Sequence, residues 1–237
     1  LEVELPQILV KVGTFDEEEN ANAEFRKVLA SSSLSAAESF AQYISTFNHG
    51  GSGQLFTTIS GDTVTVEGSV TGATNSLSYT YVGSPNLIID WKADYEGKGS
   101  TGGLLEFSGS AIQFEMNDGE IIRSGSTDLG AYVFVFSGCQ ASLNSGTVQG
   151  DLGIHIRNGT LIIENGAVIS SLEIALYSKE SCIEITGGTL SASGDLEECI
   201  FLTDSSELTM TDGNISADGK ESCAIYAGEN SVVDVQG

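Results

Sequence analysis

The chain has 237 residues, 40% of them apolar and 18% charged, with 29 glycines and 2 prolines. A full complement of core-forming side chains with little proline excludes a disordered segment, and glycines without a three-residue period exclude collagen. The 9 Lys and Arg against 33 Asp and Glu leave a formal net charge of −24, which repels phosphate backbones and anionic headgroups and argues against nucleic acid and lipid surfaces as partners.

No apolar run approaches the roughly 20 residues of a membrane-spanning helix, so membrane insertion is not expected. The most continuous run, Tyr132–Phe136, has the length of a strand. The four cysteines, Cys139, Cys182, Cys199 and Cys223, have neither paired nor zinc-finger spacing and do not describe a disulfide scaffold or a metal site.

Residues 1–50 read as a helical N-terminal cap. Thr14 precedes a helical stretch over 16–30, with Asp16, Glu17, Glu18 and Glu19 at its positive end. Ser35-Ala36-Ala37-Glu38 is a capping box, followed by Phe40, Ile44 and Phe47 on one stripe. The segment His49-Gly50-Gly51-Ser52-Gly53 is the expected joint, leaving 51–237 as a second unit.

That second unit repeats. Two apolar residues at alternate positions, a short polar stretch, a glycine and a further apolar residue recur in Phe114–Ile121, Ala141–Val148, Leu161–Val168, Ile183–Leu190 and Leu208–Ile215. The anchors Val66, Ile89, Phe114, Ala141, Leu161, Ile183, Leu208 and Val233 are spaced by about 24 residues on average. Alternation means strands, and a fixed period means stacked units; three strands and three turns of this size fill one coil. The residue before each glycine is often Asn, Asp or Gly, as a tight turn with positive φ requires. The last repeat breaks off at Gly237, which reads as a cut within a coil.

On the first strand, the anchors and the residues two further on (Trp91, Met116, Leu143, Ile163, Ile185, Met210 and Val235) form the inward columns. Asp90, Glu115, Ser142, Ile162, Glu184, Thr209 and Asp234 point out between them. On the third strand, Phe134, Ile154, Leu176, Phe201 and Ile225 are expected inside, with Cys199 and Cys223 stacked in one inward column, as free thiols by default with a disulfide as the alternative. The outward column is then Val135, His155, Tyr177, Leu202 and Tyr226, flanked by Val133, Ala175, Ile200 and Ala224. A contiguous apolar stripe on the outside marks a ligand-binding or interface surface.

The phrases Gly159-Thr160-Leu161-Ile162-Ile163-Glu164-Asn165-Gly166 and Ile183-Glu184-Ile185-Thr186-Gly187-Gly188-Thr189-Leu190 resemble the repeats of right-handed parallel β-helix proteins of the pectate-lyase-like fold. The resemblance covers about residues 58–237. It implies an all-β right-handed parallel β-helix solenoid, about 24 residues and three strands per coil, behind a small α-helical N-terminal cap. It also implies an extracellular or bacterial cell-surface location, as part of a surface or secreted protein.

Catalytic motifs are thin. With only His49 and His155, a Ser–His–Asp arrangement has little to draw on, and no GxSxG, HExxH, P-loop or GxGxxG occurs. Asp90, Glu115, Asp118 and Glu120 are the densest acids of the repeats, and Arg123 and Arg157 their only arginines. Regular outward threonine columns, which ice binding needs, are missing. The expectation is a non-catalytic module for adhesion or carbohydrate binding, with no catalytic residue and no metal ligand set. Its partner is a polysaccharide or a host or cell-surface protein, or a second copy docked through the third-strand face. The alternative is a polysaccharide lyase or glycoside hydrolase on the same scaffold. No cofactor is expected; calcium is the one ion the many acids leave open, although no repeated calcium loop occurs.

Overall fold

The computed structural model describes residues 34–100, 102–125 and 131–236. The expected helix over 16–30 lies outside the described residues. Ser35–Gly237 form one compact unit.

It opens with α1 (Ala36–Thr46), whose start is the capping box read from the sequence. The Ser35 backbone N–H donates to Glu38 Oε2 at 2.8 Å, and the Glu38 N–H donates to Ser35 Oγ at 3.1 Å. Two donors that a helix start leaves orphaned are thereby satisfied. The apolar stripe is used: Ala36, Ala37, Phe40 and Ile44 are buried in the main core. The Phe40 ring meets Tyr79 edge-on at 4.8 Å and Phe107 at 6.4 Å.

β1 (Ser52–Ser60) follows and runs antiparallel to β2 (Thr63–Ala73), so the parallel coils begin at Thr63. This strand covers an edge of β2 that would otherwise expose unpaired backbone groups. Both faces of the pair are not equal: Leu55 is buried while Phe56 and Ile59 are exposed.

The first coil is β2 with β3 (Leu77–Thr80). The second is β4 (Leu87–Trp91), β5 (Asp94–Gly97) and β6 (Gly103–Ser108); the third is β7 (Ile112–Met116), β8 (Glu120–Arg123) and β9 (Tyr132–Ser137). In the fourth to seventh coils the first two sides merge into one bent strand. These are β10 (Gln140–Gly150) with β11 (Leu152–Arg157), β12 (Thr160–Ser171) with β13 (Leu176–Lys179), β14 (Cys182–Ala192) with β15 (Glu198–Thr203), and β16 (Glu207–Ala217) with β17 (Cys223–Ala227). β18 (Val232–Val235) starts an eighth. The coils pair in parallel as two sheets, an 11-stranded one for the first two sides and a 7-stranded one for the third. The chain is a parallel β-solenoid of about seven turns, as the repeat predicts.

The first-side columns are those read from the sequence. Ile89, Phe114, Ala141, Leu161, Ile183, Leu208 and Val233 are register partners in succession, as are Trp91, Met116, Leu143, Ile163, Ile185, Met210 and Val235. The first anchor is corrected: Val64, not Val66, pairs with Ile89, and Val66 pairs with Trp91. A shift of two residues keeps the same face, so the core is unaffected.

The bend between first and second sides is a glycine position. Gly146 has φ +92°, and a Cβ there would stand 2.7 Å from the Gly119 carbonyl oxygen of the coil beneath. Only glycine combines the left-handed conformation with that approach. Inside, Phe107, Phe114, Phe134 and Phe136 form a ring cluster with centroids 4.9–6.2 Å apart, and Trp91 Nε1–H donates to the Ala93 carbonyl at 2.8 Å. The corner after the third side holds a buried hydroxyl stack. Ser178 Oγ lies 3.1 Å from Ser206 Oγ, which donates to the Thr203 carbonyl at 2.8 Å.

Candidate functional site: an aromatic column on the third side

Strand alternation on the third side puts Phe134, Ile154, Leu176, Ile200 and Ile225 inward as successive register partners. The outward column is Val135, His155, Tyr177, Phe201 and Tyr226. Four of the five expected site residues, Val135, His155, Tyr177 and Tyr226, therefore stand together on the outside. Leu202 does not: it pairs with Ser178, is fully buried, and belongs to the core, while Phe201 takes the outward place expected for it. Tyr177 and its partner are 24 residues apart, and Phe201 and Tyr226 are 25 apart. A slip of one residue exchanges faces for every side chain on a strand. Cys199-Ile200-Phe201-Leu202 is apolar throughout, so alternation in the sequence leaves that slip open. Ile200, expected on the outer flank, is likewise inward, and Val133 and Ala175 are buried.

The same shift separates the two cysteines. Cys223 pairs with Glu198 and is exposed, whereas Cys199 is buried; all four thiols are free. Burial pushes the Cys199 thiol up to about 12 and the Cys139 thiol up to about 11.

The rings form one continuous contact. Tyr132 meets His155 at 4.9 Å, His155 meets Tyr177 edge-on at 4.9 Å, Tyr177 stacks on Phe201 at 5.3 Å with 4° between planes, and Phe201 stacks on Tyr226 at 4.9 Å. These separations match the strand spacing, which is why one ring per coil in one column produces a ladder. Tyr132 and Phe201 were not foreseen as members. Phe201, an aromatic one coil from Tyr177, carried a signal; Tyr132 carried none, since it is the register partner of Leu152 and its ring reaches His155 from outside the column, where Val135 stands.

Electrostatics set the ladder's chemistry. His155 Nε2 has no hydrogen-bond partner among the described residues, and burial, with Arg157 and Lys179 nearby, holds its pKa below the ordinary value. Burial thus favours the neutral imidazole. Burial, then Tyr177 and Glu173, push Tyr132 up to about 12. Two residues beyond the ring column runs Ser137, Arg157, Lys179, Thr203. Arg157 Nε–H donates to Ser137 Oγ at 2.9 Å, and Lys179 Nζ lies 2.6 Å from Asp204. At the corner before the strand stand the acids Asp151, Glu173 and Glu197, and Glu198 opens β15. Partial burial and repulsion from Glu173 and Glu198 raise the pKa of Glu197.

The first-side acids are built differently. Asp90 accepts from Thr65 Oγ1 at 3.0 Å and Asn117 Nδ2 at 2.8 Å, and pairs with Lys92 at 3.0 Å. Burial alone would raise its pKa, but these bonds outweigh it and hold the carboxylate below its ordinary value. Asn144 continues the polar ladder onto Asn117 at 2.8 Å, Glu115 accepts from Gln113, and Asp118 accepts from the Gly119 N–H of its own turn. Among the described residues no group of three or more His, Cys, Asp or Glu is placed to hold a metal ion, and no helix is long and apolar enough to cross a membrane.

Fold and outer face together define a parallel β-solenoid carrying a surface aromatic ladder. Comparisons of the chain with protein-family models, with curated proteins and with solved structures return no match.

Proposed function

We propose that the chain is a non-catalytic adhesion module of an extracellular or bacterial cell-surface protein, and that it grips a protein surface through the third side of the solenoid. The observation that carries this reading is the unbroken outward ladder from Tyr132 to Tyr226. Aromatic residues concentrate binding energy where they sit in a row that a partner can desolvate. Protein is favoured over sugar because the Tyr177 and Phe201 rings spend their faces on neighbouring rings and present edges to the outside. A pyranose needs a free ring face for its C–H groups. The satisfied state of Asp90 favours a structural role for the densest acids over a lyase or hydrolase site.

The test is to immobilise the chain and pass over it panels of cell-surface proteins and of polysaccharides, with and without calcium, scoring retention and new reducing ends. Protein retention that drops in Phe201→Ser supports the reading. Retention of polysaccharides alone transfers the site to carbohydrate binding, and new reducing ends overturn the non-catalytic assignment.

A further inference from the structure

We infer that the protein surface gripped by the third side is a basic, lysine- or arginine-rich extended segment, seated along the stack between the ring column and the acid row beside it. The inference rests on the reading of the third side as a protein-binding face and names the chemistry of its partner.

Asp151, Glu173 and Glu197 each stand four residues before a ring of the column, His155, Tyr177 and Phe201 in turn. The Glu173 N–H donates to the Asp151 carbonyl at 2.8 Å, so these two are neighbours on adjacent coils. At about 3.3 Å per residue the row lies within about 13 Å of the rings and runs alongside them. Among the described residues no ion pair engages Asp151, Glu173, Glu197 or Glu198. Their charge is felt locally: partial burial, then repulsion from Glu173 and Glu198, raises the pKa of Glu197, and burial, then Tyr177 and Glu173, does the same for Tyr132.

The opposite edge does not offset this charge. Lys179 is held by Asp204 at 2.6 Å, Glu180 follows it directly, and Glu229, one coil beyond Asp204, accepts from Thr203 Oγ1 at 2.7 Å. Lys220, on the acid side of the seventh coil, pairs with Glu221 at 3.4 Å. Over the third side of the fourth to seventh coils with its two corners (residues 151–158, 172–181, 194–206 and 218–230), ten Asp or Glu stand against three Lys or Arg. The occupant whose charge complements that face is cationic.

The rings sort the groups of that occupant. Tyr177 and Phe201 stack face to face and turn their edges outward, and a ring edge is the positive part of the aromatic quadrupole. Apolar groups therefore belong on the rings, and cationic heads belong on the carboxylates. An extended chain laid along the stack sends alternate side chains to its two sides, one set over the rings and the other over the acid row. Lys and Arg suit the second place, because an apolar stem carries the charge at its tip. Four coils with strands of up to six residues offer a face of about 19 by 20 Å, below the roughly 800 Å² per partner of a folded interface. A segment fits that area where a domain does not, and the expected affinity is micromolar.

Fluorescence anisotropy of a labelled peptide of about ten residues, alternating Lys and Val, titrated with the full chain at about 0.15 M salt tests this. The expected result is saturable binding that weakens at least about tenfold in Glu173→Lys combined with Glu197→Lys, and likewise in Phe201→Ser. Glu164→Lys combined with Glu184→Lys makes the same change of net charge away from the third side and should leave the Kd within about threefold. Unchanged thermal melting of each variant separates these effects from misfolding. No binding up to about 300 μM overturns the inference. So does equal weakening by the two charge-changed pairs, because the peptide would then follow net charge and not the face. Equal affinity for a peptide with Glu in place of Lys, or a Kd that Phe201→Ser leaves unchanged, overturns it too. A Lys–Val peptide that fails while panel proteins are still retained through Phe201 leaves the adhesion reading standing with a partner of another chemistry; failure of both removes both.

Discussion

His155 shows how a titratable side chain is recruited as an apolar one. Its ring lies between Tyr132 and Tyr177, each at 4.9 Å, and Nε2 is sealed from solvent without a partner. Protonation would place a charge there, so the folded-state pKa falls below the ordinary value of 6.5. Beneath 6.5 the unfolded chain binds the proton more readily than the folded one. The stability from a neutral His155 is therefore complete above 6.5 and is lost as pH falls toward the folded-state value. His155→Phe should keep the ring contact and lose less melting temperature than wild type between pH 7 and pH 5; calorimetry at the two pH values reads the difference. Ser206 represents the opposite case, a buried polar group fully engaged. Its Oγ bonds Ser178 Oγ and the Thr203 carbonyl, and it lies 3.4 Å from the Ser181 N–H. Ser206→Ala should cost about 1–3 kcal/mol in chemical denaturation, because partners are left unsatisfied inside the protein.

At the scale of elements, α1 matters through one ring. Phe40 is fully buried against Tyr79 and Phe107, and Phe40→Ala should destabilise by about 3–5 kcal/mol, measured by urea unfolding, as core aromatic truncations do. The capping box that starts this helix was legible because it is a four-residue pattern of local hydrogen bonds. The antiparallel β1 was not, since Gln54–Ser60 lacks the repeat's phrase and its strand partner is chosen by the open edge of β2. The register of β15 was hidden for a different reason: four consecutive apolar residues satisfy either face. Thiol labelling checks the burial of the cysteines along the stack. Cys182 and Cys223 should react with a maleimide in the native protein, and Cys139 and Cys199 only after unfolding, since burial both shields the latter pair and raises their pKa.

Across the whole solenoid each coil touches its neighbours and little else, so stability is close to a sum of coil and interface contributions. The extended pairings β10–β12, β12–β14 and β14–β16 join the fourth to seventh coils. In β18, Val232, Val233 and Val235 stay exposed. Amide exchange should accordingly be slowest in β12 and β14 and fastest in β18; equal protection along the stack would mean that the unit opens only as a whole. The period of about 24 and the alternation around each anchor determined the solenoid, its inward first-side columns and the outward row from Asp90 to Asp234, because both signals are local and recur in every coil. The tertiary structure alone decided which residues make the ring ladder. Coil lengths of 24 and 25 residues alternate around β15, and a single residue's difference is resolved only when Phe201 finds Tyr177 on one side and Tyr226 on the other while Leu202 fills the core.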